Sequence, residues 1–273
     1  MKKYLAIAMA AVLLVCSLAS CVGGGSDGIG DYTPEVDYLI TEKGTFYFEE
    51  AEGETAILVK YVGKATSGDS VEIPATFNDR VVTTIGEQAF YNLSSIVSVT
   101  IPASIVKIDA YAFARCTELT TITLPAGTLE IGEGAFVECT KLESINLGTS
   151  LETIGEKAFY RCSALKSVTL PATLKTIGKA AFIYCKALPA LTIPASVTTI
   201  GELAFTDCVG VESITFGSDA TEIGAHAFEH EDGTNLKDKF VLEGLGEGSK
   251  VLEYVNALSD SPETEPVTEA VTE

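Results

Sequence analysis

Tryptophan is missing from this chain and histidine nearly so, with two among 273 residues. So little imidazole leaves few candidates for a general base or a zinc ligand. Positive charge is scarce as well: 18 Lys and Arg face 38 Asp and Glu, a formal net charge of −20 at pH 7. That balance repels a phosphate backbone and speaks against nucleic-acid binding. Long apolar runs are lacking too. Leu5 to Val15 is apolar but shorter than the ~20 residues a membrane-spanning helix needs, and no other segment qualifies. Hydrophobic residues still make up 47% of the chain, ample for a core.

What the chain has instead is a repeat. Phe90, Phe113, Phe136, Phe159, Phe182, Phe205 and Phe228 stand 23 residues apart without a slip. Ile85, Ile108, Ile131, Ile154, Ile177, Ile200 and Ile223 keep the same step. A strict period in this range marks a stacked-repeat architecture. In the third copy Leu119, Ile122 and Leu124 give L-x-x-L-x-L, a repeat-strand signature. Its last two apolar positions share one face of a short strand, and copies running the same way predict a parallel sheet. Pro102, Pro125, Pro171 and Pro194 stop that strand, with Gly148 and Gly217 in the same role elsewhere. A second extended piece ends at the Ile column. Gly86, Gly132, Gly155, Gly178, Gly201 and Gly224 follow it, with Asp109 the one departure, which predicts a positive φ at a tight bend. An Ala-Phe turn closes each copy. Seven coils at a strand spacing of about 4.8 Å make a rod on the order of 30–35 Å long.

The fold class expected is therefore mostly β: a leucine-rich-repeat solenoid of about seven 23-residue coils, with short parallel strands and terminal caps. The pattern I-P-x-x-φ-x-x-I-G-x-x-A-F-x-x-C-x-x-L resembles the leucine-rich repeats of the BspA-like, or Treponema pallidum-type, family, over about 165 residues. That resemblance implies a bacterial surface or secreted protein engaged in attachment to host matrix proteins, co-aggregation and similar contacts.

The flanks divide as follows. Residues 1–20 read as a signal peptide, with Lys2 and Lys3 before the apolar stretch. Leu18-Ala19-Ser20-Cys21 resembles a bacterial lipobox, which implies cleavage before Cys21 and a lipid on its sulfur. The alternative is an ordinary signal-peptidase site near Ala19. Residues 21–30 form a flexible lipid-anchored tether. Chance matches there to G-x-S-x-G and G-x-G-x-x-G lack the strand and helix those motifs need. Residues 31–70 form an N-terminal β cap, with a hairpin of Thr45–Phe48 and Ala56–Tyr61. Residues 71–236 are the solenoid, 237–258 a C-terminal cap, and 259–273 a disordered acidic tail.

Few residues suggest chemistry. Cys116, Cys139, Cys162, Cys185 and Cys208 repeat at the same step, three after each Phe. Ligands in one line do not make a zinc tetrahedron, and parallel Cβ vectors suit no disulfide, so they read as a buried ladder of inert thiols. His226 and His230 would share a face only if their segment were helical. The strand positions facing away from the core, such as Thr121, Thr123, Ser144, Asn146, Ser167 and Thr169, form a double file of small polar groups. That file is open both to a water-ordering, ice-binding reading and to plain strand propensity. From Lys157 to Ile200 there are six basic residues and no acidic one: Lys157, Arg161, Lys166, Lys175, Lys179 and Lys186. These are expected to form a belt that binds an acidic protein or glycan.

No catalytic residue, metal site or cofactor is expected. The function expected is a monomeric, adhesin-like binding module outside the cytoplasm, lipid-anchored to the cell envelope, with a protein or glycan ligand. A structural or accessory subunit of an envelope complex is the other reading.

Overall fold

The computed structural model describes residues 36–63, 68–219 and 221–260. The signal peptide, the tether with Cys21, residues 31–35 of the cap and 261–273 of the tail lie outside the described residues. Each coil meets the next along three lines.

The first line is the sheet built on the Ile column. Lys107–Ile108, Glu130–Ile131, Thr153–Ile154, Thr176–Ile177, Thr199–Ile200 and Glu222–Ile223 pair in parallel, isoleucine beside isoleucine. Arg80–Ile85 precedes them, and Thr55–Gly63 from the cap sets Leu58 beside Ile85. The cap thus supplies one parallel strand more than the seven copies predict. The second line is built on the L-x-x-L-x-L strands. Asp69–Glu72, Ile96–Thr100, Thr121–Thr123, Ser144–Asn146 and Ser167–Val168 form one parallel sheet. Ala190–Ile193, Ser213–Phe216 and Phe240–Val241 form another.

The third line runs through the Ala-Phe turns and is not a sheet. Two residues before each Phe the backbone is left-handed: Gln88, Tyr111, Gly134, Lys157, Ala180, Leu203 and His226 have φ of 53° to 59°. Two residues after it Asn92, Arg115, Glu138, Arg161, Tyr184 and Asp207 have φ of 55° to 61°. Each non-glycine residue in that region costs about 1–2 kcal/mol. The offset is a ladder of hydrogen bonds into the next coil. In one coil Gly134, Phe136 and Glu138 donate their N–H groups to the carbonyls of Glu156, Ala158 and Tyr160, each at 2.8 Å. Alternating left- and right-handed residues turn every second N–H toward the neighbour, so the turns are bonded as sheets are.

The glycine column, by contrast, does not take the positive φ that its composition predicts. At Gly178 a Cβ would lie 2.5 Å from the carbonyl carbon of Gly155, and at Gly201 it would lie 2.4 Å from the Lys179 nitrogen. Close approach of neighbouring backbones, rather than a left-handed bend, excludes a side chain there.

Inside the three lines the phenylalanines form one pile. Successive rings from Phe90 to Phe228 stack at 4.9–5.3 Å with planes within 15°. Tyr61 continues the pile from the cap, 5.4 Å from Phe90, and its hydroxyl donates to the Lys43 carbonyl at 2.9 Å. At the far end Phe240 and Tyr254 meet Phe228 edge-on, at 5.2 and 6.1 Å. The helix Lys250–Asp260 seals that end with Val251 and Val255 buried. The strands Asp37–Ile40, Gly44–Ala51 and Thr55–Gly63 run antiparallel and bury Phe46 and Phe48 over the other end.

The five cysteines are buried and free. Each donates its S–H to the carbonyl of the Phe in the coil before: Cys116 to Phe90 at 3.1 Å, Cys208 to Phe182 at 3.2 Å. Cysteine thus fills a small apolar hole while satisfying a buried carbonyl that alanine would not reach. Burial pushes the Cys116 thiol up to about 12 and raises the others as well.

Two measurements follow. Alkylation of the folded protein at pH 8, read by mass, should leave these five thiols unlabelled, and guanidinium should expose them all. In urea melts Gly178→Ala should cost about 2–3 kcal/mol or more, as overpacking does. Gly127→Ala, which meets nothing within 4 Å, should be neutral or stabilising by about 0.4–1 kcal/mol.

Candidate ligand-binding faces

Stacking at a 23-residue step places each side chain beside its own copy in the neighbouring coils, and this decides what the six cations do. Lys166 lies 3.4 Å from Glu143, Lys175 2.8 Å from Glu152, and Lys179 2.9 Å from Glu202, each pair 23 residues apart. Arg161 sits 3.7 Å from Glu138, also 23 residues away, and Lys157 3.3 Å from the adjacent Glu156. The Lys186 amine lies over the Tyr184 ring, 5.6 Å from its centre. A stretch that is purely basic along the chain is interleaved with acid across the coils. Lys157, Arg161 and Lys179 stand on the Ala-Phe turns, Lys166 before a second-sheet strand, Lys175 before a first-sheet strand, and Lys186 after a turn. They encircle the solenoid rather than share one face.

The same rule pairs Arg115 with Glu138 at 2.9 Å, Lys141 with Glu118 at 2.7 Å and Lys107 with Glu130 at 3.6 Å. Exposed pairs of this kind contribute little stability one by one. Together they oppose a slip of one coil against the next, because a slip would bring like charges together. Arg161 also stacks on Tyr160 and Tyr184, at 5.2 and 5.5 Å.

The double file of small polar residues lies on the outward face of the second sheet. Thr121, Thr123, Asn146, Ser167 and Thr169 are exposed and Ser144 is half-buried. Together they line an open groove of about 720 Å³. In its wall Gly148, at φ +70°, replaces the proline of other coils, and its N–H donates to the Asn146 side chain at 2.9 Å. The file is two arrays rather than one, since the sheet stops after Ser167–Val168 and resumes separately at Ala190–Ile193. A water-ordering lattice asks for a single regular array.

The histidines do not meet on a helix. Their segment is a turn closed by a bridge between Glu229 and Asn235. His226 faces Glu229 at 2.9 Å, while His230 points inward to the buried Asp207 at 3.6 Å. Among the described residues no group of three His, Cys, Asp or Glu side chains is placed to hold a metal ion. Asp207 and His230 are again 23 residues apart, in the column of Arg115, Glu138 and Arg161. Column arithmetic, applied to charge as well as to core residues, would have found these pairs in the sequence.

Comparison with known proteins agrees with this geometry. The model of the BspA type leucine rich repeat region matches residues 64–189 and 107–237, as part of six copies. No curated protein matches. Among solved structures, a leucine-rich repeat protein of T. pallidum is 27% identical, with a TM-score of 0.58 over 83% of this chain and 95% of that one. A leucine rich cell surface protein of Faecalibacterium prausnitzii is 27% identical, with a TM-score of 0.57 over 71% of this chain and 56% of that one. A leucine-rich repeat protein of Eubacterium ventriosum, 24% identical, shares the fold with a TM-score of 0.60, over 75% of this chain and 55% of that one. The family model spans well over half of the chain and falls on the Ile, Gly, Ala-Phe and Cys columns, so the chain belongs to the BspA-type leucine-rich repeat family.

Proposed function

We propose that this chain is a non-enzymatic binding module displayed on a bacterial surface, adhesin-like, and that its ligand is a protein or glycan of a host or a neighbouring cell. The observation that carries this reading is the groove on the second sheet, lined by Thr121, Thr123, Ser144, Asn146, Ser167 and Thr169. Its side chains are short, uncharged and hydrogen-bonding, and they project from a scaffold bonded along three lines. Such a face gives many weak contacts at low cost in side-chain ordering. The reactive residue types are occupied elsewhere, the thiols sealed in the core and the two histidines set against carboxylates.

A lipid on Cys21 would hold this module at the envelope, in keeping with the F. prausnitzii relative described as a cell surface protein. The six cations from Lys157 to Lys186 enter as a second contact surface. Five of them would have to exchange a carboxylate of this chain for one of the ligand, so their contribution is the smaller.

The test is capture by the immobilised protein from host mucosal matrix and, separately, from the envelope extract of the producing bacterium. A host protein or glycan should be retained. Thr123→Arg with Ser167→Arg should lower its binding at least ~10-fold, as blocking the centre of an interface does. Reversing the six cations should weaken binding less and flatten its salt dependence. A stoichiometric envelope partner with nothing from the host would establish the accessory-subunit reading instead. Undiminished binding by a folded groove variant would remove the groove from the account.

A further inference from the structure

The second sheet is cut in two at one place, and the sequence shows why. At the head of each of its strands one backbone N–H donates to the coil before. Thr120 donates to Val97 at 3.1 Å, Glu143 to Thr120 at 2.8 Å, and Lys166 to Glu143 at 2.9 Å. The next residue in that column is Pro189, which has no N–H to give to the Lys166 carbonyl. The column resumes with Glu212, which donates to Pro189 at 2.9 Å. Ser167–Val168 accordingly pairs only with the strand before it, and Ala190–Ile193 only with the strand after. The core shows at the cut. Val99, Ile122, Ile145, Leu191 and Ile214 are buried, whereas Val168, in the same column, is half-buried.

The other two lines of contact between these same coils are intact. Thr176 and Ile177 pair with Thr199 and Ile200 in the first sheet. In the turns Phe159 donates to the Ala181 carbonyl at 2.7 Å, and its ring stacks on Phe182 at 5.0 Å. The coils are thus fastened on two sides and unfastened on the third.

We infer that the solenoid is built as two blocks hinged at this boundary, with the first sheet and the Ala-Phe turns as the pivot and the second sheet as the side that opens. The first block carries the groove, whose last lining residues, Thr169 to Ala172, lie beside the cut. Opening or closing there changes the curvature of the outward face, whatever that face binds. Every other junction of the second sheet is bonded and resists the same motion.

Hydrogen exchange on the full chain tests this. Peptides covering 166–170 and 190–193 should exchange ~10- to 100-fold faster than those covering 120–124 and 143–147, as expected of locally opening backbone. Pro189 is exposed, and Pro189→Thr restores the donor with the residue that the column carries at Thr120. That variant should slow exchange at 166–170 about tenfold or more and leave 120–124 unchanged. Wild-type protection at 166–170 equal to that at 120–124 would overturn the hinge. So would a folded Pro189→Thr protein whose exchange rates match wild type.

Discussion

About five ångströms separate one coil from the next, and most of this structure depends on keeping that distance. The stacked phenylalanine rings hold it at 4.9–5.3 Å from Phe90 to Phe228. It is close to the spacing of hydrogen-bonded strands, so ring stacking and backbone bonding agree on one rise per coil. The glycine column follows from it, since neighbouring backbones leave no room for a Cβ at Gly178 or Gly201. The cysteine column follows too, because only at this rise does a thiol reach the Phe carbonyl of the coil before. Both ends of the pile must then be closed with rings: Tyr61 on one side, Phe240 and Tyr254 on the other.

Much of this was legible from the spacing alone. Period, parallel strands, the buried thiols and the closing helix are written in columns that hold one residue type. The left-handed turn residues were not legible, and the reason is physical. A column reading Gln88, Tyr111, Gly134, Lys157, Ala180, Leu203 and His226 suggests no constraint, yet all seven share φ near +55°. The hydrogen-bond ladder of the turn fixes that conformation, so the side chain need not be glycine. The glycine column misled in the opposite sense. Its constraint lies between coils, at a distance no single-copy reading sees. Tyr61 escaped because the insertion around Asn78 breaks the step between cap and first coil.

The cations illustrate the same limit. Read along the chain, Lys157 to Lys186 is a run of one sign. Read across coils, Glu138, Glu143, Glu152 and Glu202 stand among them. In a solenoid the neighbour that matters electrostatically is 23 residues away, so local charge is a property of columns. A chain of net charge −20 is also repelled by polyanions at long range, before any local patch acts. Neutral hydroxyls on the second sheet escape both difficulties, which is why the groove there outweighs the belt as a contact surface.

Fold and recognition are thus carried by different columns. Phe, Ile, Cys and Gly columns set the rise and leave nothing exposed for a partner. The outward columns of the second sheet and the turn columns are free of that duty, because backbone bonds hold them in place whichever side chain they bear. Pro189 marks where this freedom ends. It stands in an outward column and is itself exposed, yet it removes a backbone donor, and the sheet parts there. A side chain at an outward position alters what the face presents; a lost N–H at the same position alters how the face moves. The two kinds of change are separable in this architecture, because two of the three lines of contact persist when the third is cut.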